Sequence, residues 1–169
     1  MPRSQLVSIF LVVFIVMLGF GLIMPLLPYY AASYGGSDFL VGLLVASYAA
    51  AQFVGAPLLG RMSDQRGRRP ILVISMLGTA LGFVLLALAD PIGRAIGSLL
   101  AAGAGPGRLQ ATQNSAVLVM MFVSRIVTGL SGGMITAAQA YMADITDAQH
   151  RTMGQGLIGA AFGLGFILG

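Results

Sequence analysis

Apolar residues gather into five blocks along the chain, parted by short polar turns. The first runs from about Gln5 to Pro28, the second from Phe39 to Leu59 and the third from Ile71 to Ala89. A fourth, interrupted by glycines, runs from about Ala116 to Ala143, and a fifth starts near Gly154 and is still apolar at Gly169. Lengths near twenty match the ~20 residues a helix needs to cross ~30 Å of hydrocarbon. The pattern predicts an all-α, polytopic transmembrane helix bundle with its fifth helix incomplete. Arg3, the apolar run after it and the small residues Ala31, Ala32 and Ser33 have the outline of a cleavable leader. The run is longer than the about 7–15 residues of a leader core, so it is read as a span.

Composition agrees. Hydrophobic residues make up 57% of the chain, charged ones 8%, and there are 24 glycines in 169 residues. That leaves too little polar surface to cover a water-soluble core, and glycine suits helices that approach one another closely in lipid. Glycines four apart (Gly78/Gly82, Gly129/Gly133, Gly159/Gly163, Gly165/Gly169) are expected at such contacts. The net charge of +4 comes from arginine alone. These arginines flank apolar runs and do not line a polar groove, so no nucleic-acid partner is expected. Without cysteine or glutamate, and with His150 the single histidine, no metal site or cofactor is expected. Without lysine there is no P-loop.

Alternating the spans puts Arg3, Arg61, Arg66, Arg68, Arg69 and Arg151 on one side and Arg94 and Arg108 on the other, with Arg125 inside a span. Six against two predicts a cytoplasmic N-terminus in a multi-pass cell-membrane protein. Residues 90–115 are too long for a short outer turn. Rich in glycine and alanine and weak in periodicity, they are expected to form a flexible outer loop of no assigned function.

The stretch 60-GRMSDQRGRRP-70 carries more than a charge bias. Gly60 permits close helix approach, and Asp64 can cap a helix or pair with an arginine. Gly67 can take a positive φ, and Pro70 suits a helix start. Gly60, Asp64, Gly67, Arg68 and Arg69 resemble the loop between the second and third helices of the major facilitator superfamily, while Met62, Ser63 and Gln65 depart from it. Span one, 18-LGFGLIMPLLP-28, is similar to a pattern of the twelve-helix drug:proton antiporters. Span four, 125-RIVTGLSGG-133, resembles a further family motif, with Thr128 and Ser131 in place of the commoner glutamine and glycine. The segment 159-GAAFGLGFILG-169, with Gly159, Gly163, Gly165 and Gly169, looks like the start of the antiporter motif and stops one residue before its proline.

The resemblance implies secondary active efflux of an amphipathic organic compound, drug- or tetracycline-like, in exchange for protons. Twelve helices in two halves would do this, so the helices beyond Gly169 are expected partners, and transport by this stretch alone is not expected. Proton- or sodium-coupled uptake of sugars or metabolites and a non-transporting membrane fragment are the alternatives within the membrane class.

Arg125 is the one charge well inside a span, roughly 14 Å deep counted from Ala116. A guanidinium there costs at least about 2.5–3.5 kcal/mol, so it should face protein or water. Helical spacing puts Gly129, Gly132, Thr136 and Gln139 on its face. In the resembled family an arginine here is implicated in proton coupling. Because a guanidinium holds its proton, its role would be to tune a carboxylate supplied from elsewhere. Phe20, Met24, Pro25, Gln52 and Gln139 are candidates for the substrate pathway, and Pro25 and Pro28 either kink or end span one. From another class, 129-GLSGG-133 also spells a serine-nucleophile pattern, with Asp144 and His150 following. An intramembrane serine protease needs His150 within ~3 Å of Ser131, whereas a continuous helix would part them by about 28 Å. The chain is therefore not expected to be an enzyme.

Overall fold

The computed structural model describes the backbone of residues 3–147 and 150–169 and the side chains from residue 6 onward, except residues 148 and 149. The side chain of Arg3, counted above for topology, lies outside the described residues. Among the described residues seven helices follow in order: α1 (Arg3–Ser33), α2 (Asp38–Arg66), α3 (Arg68–Ala87), α4 (Ala89–Leu100), α5 (Pro106–Leu130), α6 (Met134–Ile145) and α7 (Arg151–Leu168). No strand occurs among the described residues. Four stretches among the described residues are long and apolar enough to cross a membrane: Leu6–Ser33, Asp38–Arg66, Arg68–Ala87 and Pro106–Ile145. The last contains both α5 and α6, which are parted by a break at residues 131–133.

Turn chemistry sets the reversals. Between α1 and α2, Gly35 takes φ +78° and the Ser37 side chain accepts the Leu40 N–H at 3.4 Å, capping α2. Gly67, at φ +93°, is the only residue between α2 and α3, so a Cβ there would strain a one-residue reversal. Pro25 and Pro28 do not end span one, because α1 continues through both to Ser33.

Residues 90–115 are not a flexible loop. They form most of α4, a turn holding Gly103 at φ +87°, and the first part of α5, whose first residue is Pro106. Ala89, Gly93, Gly97 and Ala101 recur every fourth residue and are buried. A Cβ on Gly93 would lie 2.6 Å from the Val117 Cα, and one on Gly97 would lie 2.5 Å from the Gln113 Cα. Small residues read as disorder in one dimension are thus a seam along which α4 and α5 touch backbone to backbone. Only Leu88 separates α3 from α4, and its N–H donates to the Val84 carbonyl. At 1.5 Å per residue the stretch from Arg68 to Leu100 is roughly 50 Å long.

Helix α5 packs against α2, α3 and α4, while α7 lies along α1. Glycine again fixes the contacts. Gly129 meets the Tyr48 carbonyl and Ala51 of α2, and Gly55 meets Leu130. On the other side of α5, Thr128 and Ser131 seat against Gly82 and Gly78 of α3, and the Ser124 hydroxyl donates to the Gly82 carbonyl at 2.8 Å. Those contacts account for the two motif departures at 128 and 131, since each hydroxyl side chain fills the space over a glycine. Two apolar clusters result. One joins Ile9, Val13 and Met17 to Ala138, Met142, Ile158 and Ala161, and the other joins Leu27 and Ala31 to Leu44, Ala89 and Met121. Between them along α1 and α5 lies the layer that holds Arg125.

Candidate functional site

Arg125 is buried to 1% exposure on α5, enclosed by α1 and α2. Its guanidinium carbon stands 4.5 Å from the centre of the Tyr48 ring and 5.9 Å from that of Phe20. Phe20 is half-buried and touches the rings of both Tyr48, at 5.4 Å, and Phe166, at 5.8 Å between centres. Nε and Nη2 of Arg125 have no hydrogen-bond partner among the described residues. Ring faces contribute about 2 kcal/mol to a desolvated cation. Taking the ion out of water costs several kcal/mol, so the rings alone leave the charge undercompensated.

Gln52, a turn beyond Tyr48 on α2, reaches the helix break: its Nε2 donates to the Gly132 carbonyl at 3.3 Å. That break splits the predicted polar stripe. Gly129 is buried beside Tyr48 and Gly132 lies against Gln52, but Thr136 and Gln139 are exposed on α6 while Arg125 is buried. The Gln139 carbonyl instead accepts from Gln155 of α7 at 3.2 Å. Met24 is half-buried one turn beyond Phe20, and Pro25 is exposed. The structure therefore gathers Phe20, Gln52 and Arg125 into one layer and leaves Pro25 and Gln139 out of it. Tyr48, the nearest ring to Arg125, was missed by sequence reasoning. Its only signal was an aromatic residue one helical turn before Gln52.

At the arginine-rich end, Arg68 holds two carboxylates. Its Nη1 lies 2.7 Å from Asp64 of α2, and its Nε donates to Asp144 of α6 at 3.1 Å. Asp144 was considered above only beside Ser131 and His150; it belongs to this network. The Ser131 hydroxyl donates to the Val127 carbonyl at 3.0 Å, and no hydrogen bond joins it to His150 among the described residues. Gly60 faces open space, as do Gly159 and Gly163, whereas Gly165 and Gly169 make the close contacts of α7 with α1 at Met17 and Leu18. Within the described chain the α1–α7 seam thus uses one of the two predicted glycine pairs. Arg69 borders a cavity of about 430 Å³ between α1, α3 and α6.

The far end has its own cluster. Asp90 Oδ1 accepts from the Tyr34 hydroxyl at 2.7 Å and from Arg94 Nε at 2.6 Å, tying the α1–α2 turn to α4. The Arg94 hydrogen bond, then that of Tyr34, holds the Asp90 carboxyl below the usual carboxylate range. Burial, then the bond to Asp90, pushes the Tyr34 phenol up.

Long apolar helices packed through glycine, with one charge buried at mid-bundle, define a multi-pass membrane protein. The Major Facilitator Superfamily model matches residues 9–169, and the chain belongs to that family. It is similar to the class H tetracycline resistance protein of Pasteurella multocida, at 34% identity over 99% of this chain and 36% of the relative. To the class D protein of Salmonella ordonez it is 37% identical over 90% of this chain and 33% of the relative. Multidrug resistance protein 2 of Bacillus subtilis is 28% identical over 93% and 33%. The chain spans about a third of the length of the curated relatives it matches.

Proposed function

We propose that these helices serve secondary active efflux of an amphipathic, drug-like organic compound in exchange for protons, in a protein of the relatives' length. The arginine-rich end, with the N-terminus and the Gly67 turn, faces the cytoplasm on this reading. One observation carries it: a guanidinium sealed at mid-bundle beside a broken helix, in a chain whose relatives are named for tetracycline and multidrug resistance. Membrane proteins hold intramembrane charges where a substrate or ion passes, and interrupted helices recur at such sites. Arg125 acts by electrostatics, biasing the ionisation of an acidic group brought near it, while Gln52 steadies the break. The Asp64–Arg68–Asp144 network ties α2, α3 and α6 together at the cytoplasmic end as the bundle rocks.

Everted membrane vesicles containing the full-length protein test the reading. Adding a tetracycline to energised vesicles is expected to release protons and accumulate the compound. Accumulation that ignores the proton gradient, or that needs sodium and runs inward, overturns it in favour of coupled uptake.

A further inference from the structure

Nε and Nη2 of Arg125 are fully buried and have no hydrogen-bond partner among the described residues. These lie on one edge of the guanidinium and aim their N–H bonds in parallel, the fork that fits both oxygens of a carboxylate. The Tyr48 ring lies 4.5 Å from the guanidinium carbon and no protein oxygen among the described residues bonds that edge, so its N–H groups are left for a ligand. No aspartate of the chain supplies the oxygens. Asp64 and Asp144 share Arg68, Asp90 is held by Arg94 and Tyr34, Asp38 lies in the first turn of α2, and Asp147 follows α6. Phe20 lies 5.9 Å from the cation and touches the rings of Tyr48 on α2 and Phe166 on α7. A phenylalanine side chain has no donor or acceptor, so turning aside breaks no hydrogen bond.

We propose that Arg125 is the receptor for an ionised acidic group of an amphipathic organic ligand, with Phe20 as the lid over it. The inference rests on the efflux reading and names the chemistry of its substrate: an aromatic or aliphatic body for the ring layer, and a carboxylate or similarly charge-spread oxygen pair for the guanidinium edge. An uncharged ligand leaves the fork unfilled, so it binds the rings alone.

Binding to the full-length protein in lipid nanodiscs tests this, with pyrenebutyrate and its uncharged amide pyrenebutyramide as probes and empty nanodiscs as the blank. The acid is expected to bind about tenfold or more tightly than the amide, the gain of one charge-assisted bidentate contact. Arg125→Gln should erase that preference and leave amide binding in place. Equal binding by the unaltered protein overturns the proposal, and is the result expected if an acidic side chain of the protein occupies the fork. A preference that survives Arg125→Gln also overturns it. Should Arg125→Gln not fold, Phe20→Ala decides: association of the acid is expected to quicken while that of the amide does not, and unchanged kinetics refute the lid. Acid preference without proton-driven efflux would sink the transport reading and leave this site standing. Efflux without acid preference would do the reverse.

Discussion

The ends of the bundle and its middle treat the same residue type differently. At the ends, Arg68 and Arg94 each meet carboxylates while partly exposed. Water screens such pairs, so they add little stability; the Arg68 pairs tie α3 to α2 and α6, while the Arg94 pair stays within α4. In the middle, Arg125 is sealed from solvent with two ring faces and no acid. There a lone charge opposes stability, which is the physical ground for the role proposed for it in transport. An arginine's neighbours, more than its presence, decide which of these it does.

The sharpest way to break that contrast is Arg125→Met, which keeps much of the volume and removes the charge. Efflux in vesicles is expected to fall by about two orders of magnitude, while the protein becomes more heat-stable by ~1–4 kcal/mol. A variant less stable by several kcal/mol would instead make Arg125 a structural residue. Next comes the α2–α5 seam. Gly55→Leu forces a side chain into Leu130 and is expected to cost at least about 1–3 kcal/mol in thermal unfolding. Gly42→Ala, in open space on the same helix, should gain ~0.5–1 kcal/mol. Gly97→Leu should part α4 from α5, read as fast amide exchange over residues 89–115 with exchange in α1 and α7 unchanged.

Smaller effects belong to the ends. Asp144→Asn is expected to lower stability by ~1 kcal/mol or less, and raised salt should shrink the difference. At the far end the sign follows from the Asp90 carboxyl being held below its ordinary value by Arg94 and Tyr34. Its contribution is full above the ordinary carboxylate pKa of about 3.9 and is lost as pH falls through the lower folded value. Asp90→Asn should therefore flatten the acid limb of the stability profile, and an unchanged limb would mean the Tyr34–Asp90–Arg94 cluster does not couple to folding. Tyr34 adds the opposite limb. Its phenol is raised, so its contribution is present below about pH 10 and is lost as pH climbs through the folded value.

Much of the architecture was legible because the cues are local. Apolar run length matched three of the four long apolar helical stretches to within several residues, and Gly67 announced a reversal through its freedom at positive φ. Arg125 stood out as a charge where lipid-facing residues cannot carry one. The misreadings share a cause. Gly93 and Gly97 lower helix propensity by about 1 kcal/mol each, which reads as a loop until Val117 and Gln113 are seen packed against them. Gln139 seemed to share a face with Arg125 because helical spacing assumes an unbroken helix, and the break at residues 131–133 ends that register. Tyr48 and Asp144 were invisible as partners because each acts on a residue 76 or 77 positions away.

Sequence alone determined the all-helical membrane class and the presence of an unusual charge, since burial free energy and backbone hydrogen bonding act on each segment by itself. Tertiary structure decided what surrounds that charge. Which ring covers the guanidinium, which nitrogens stay unpaired and which carboxylates are already engaged depend on helices meeting through glycine at distances no one-dimensional pattern encodes.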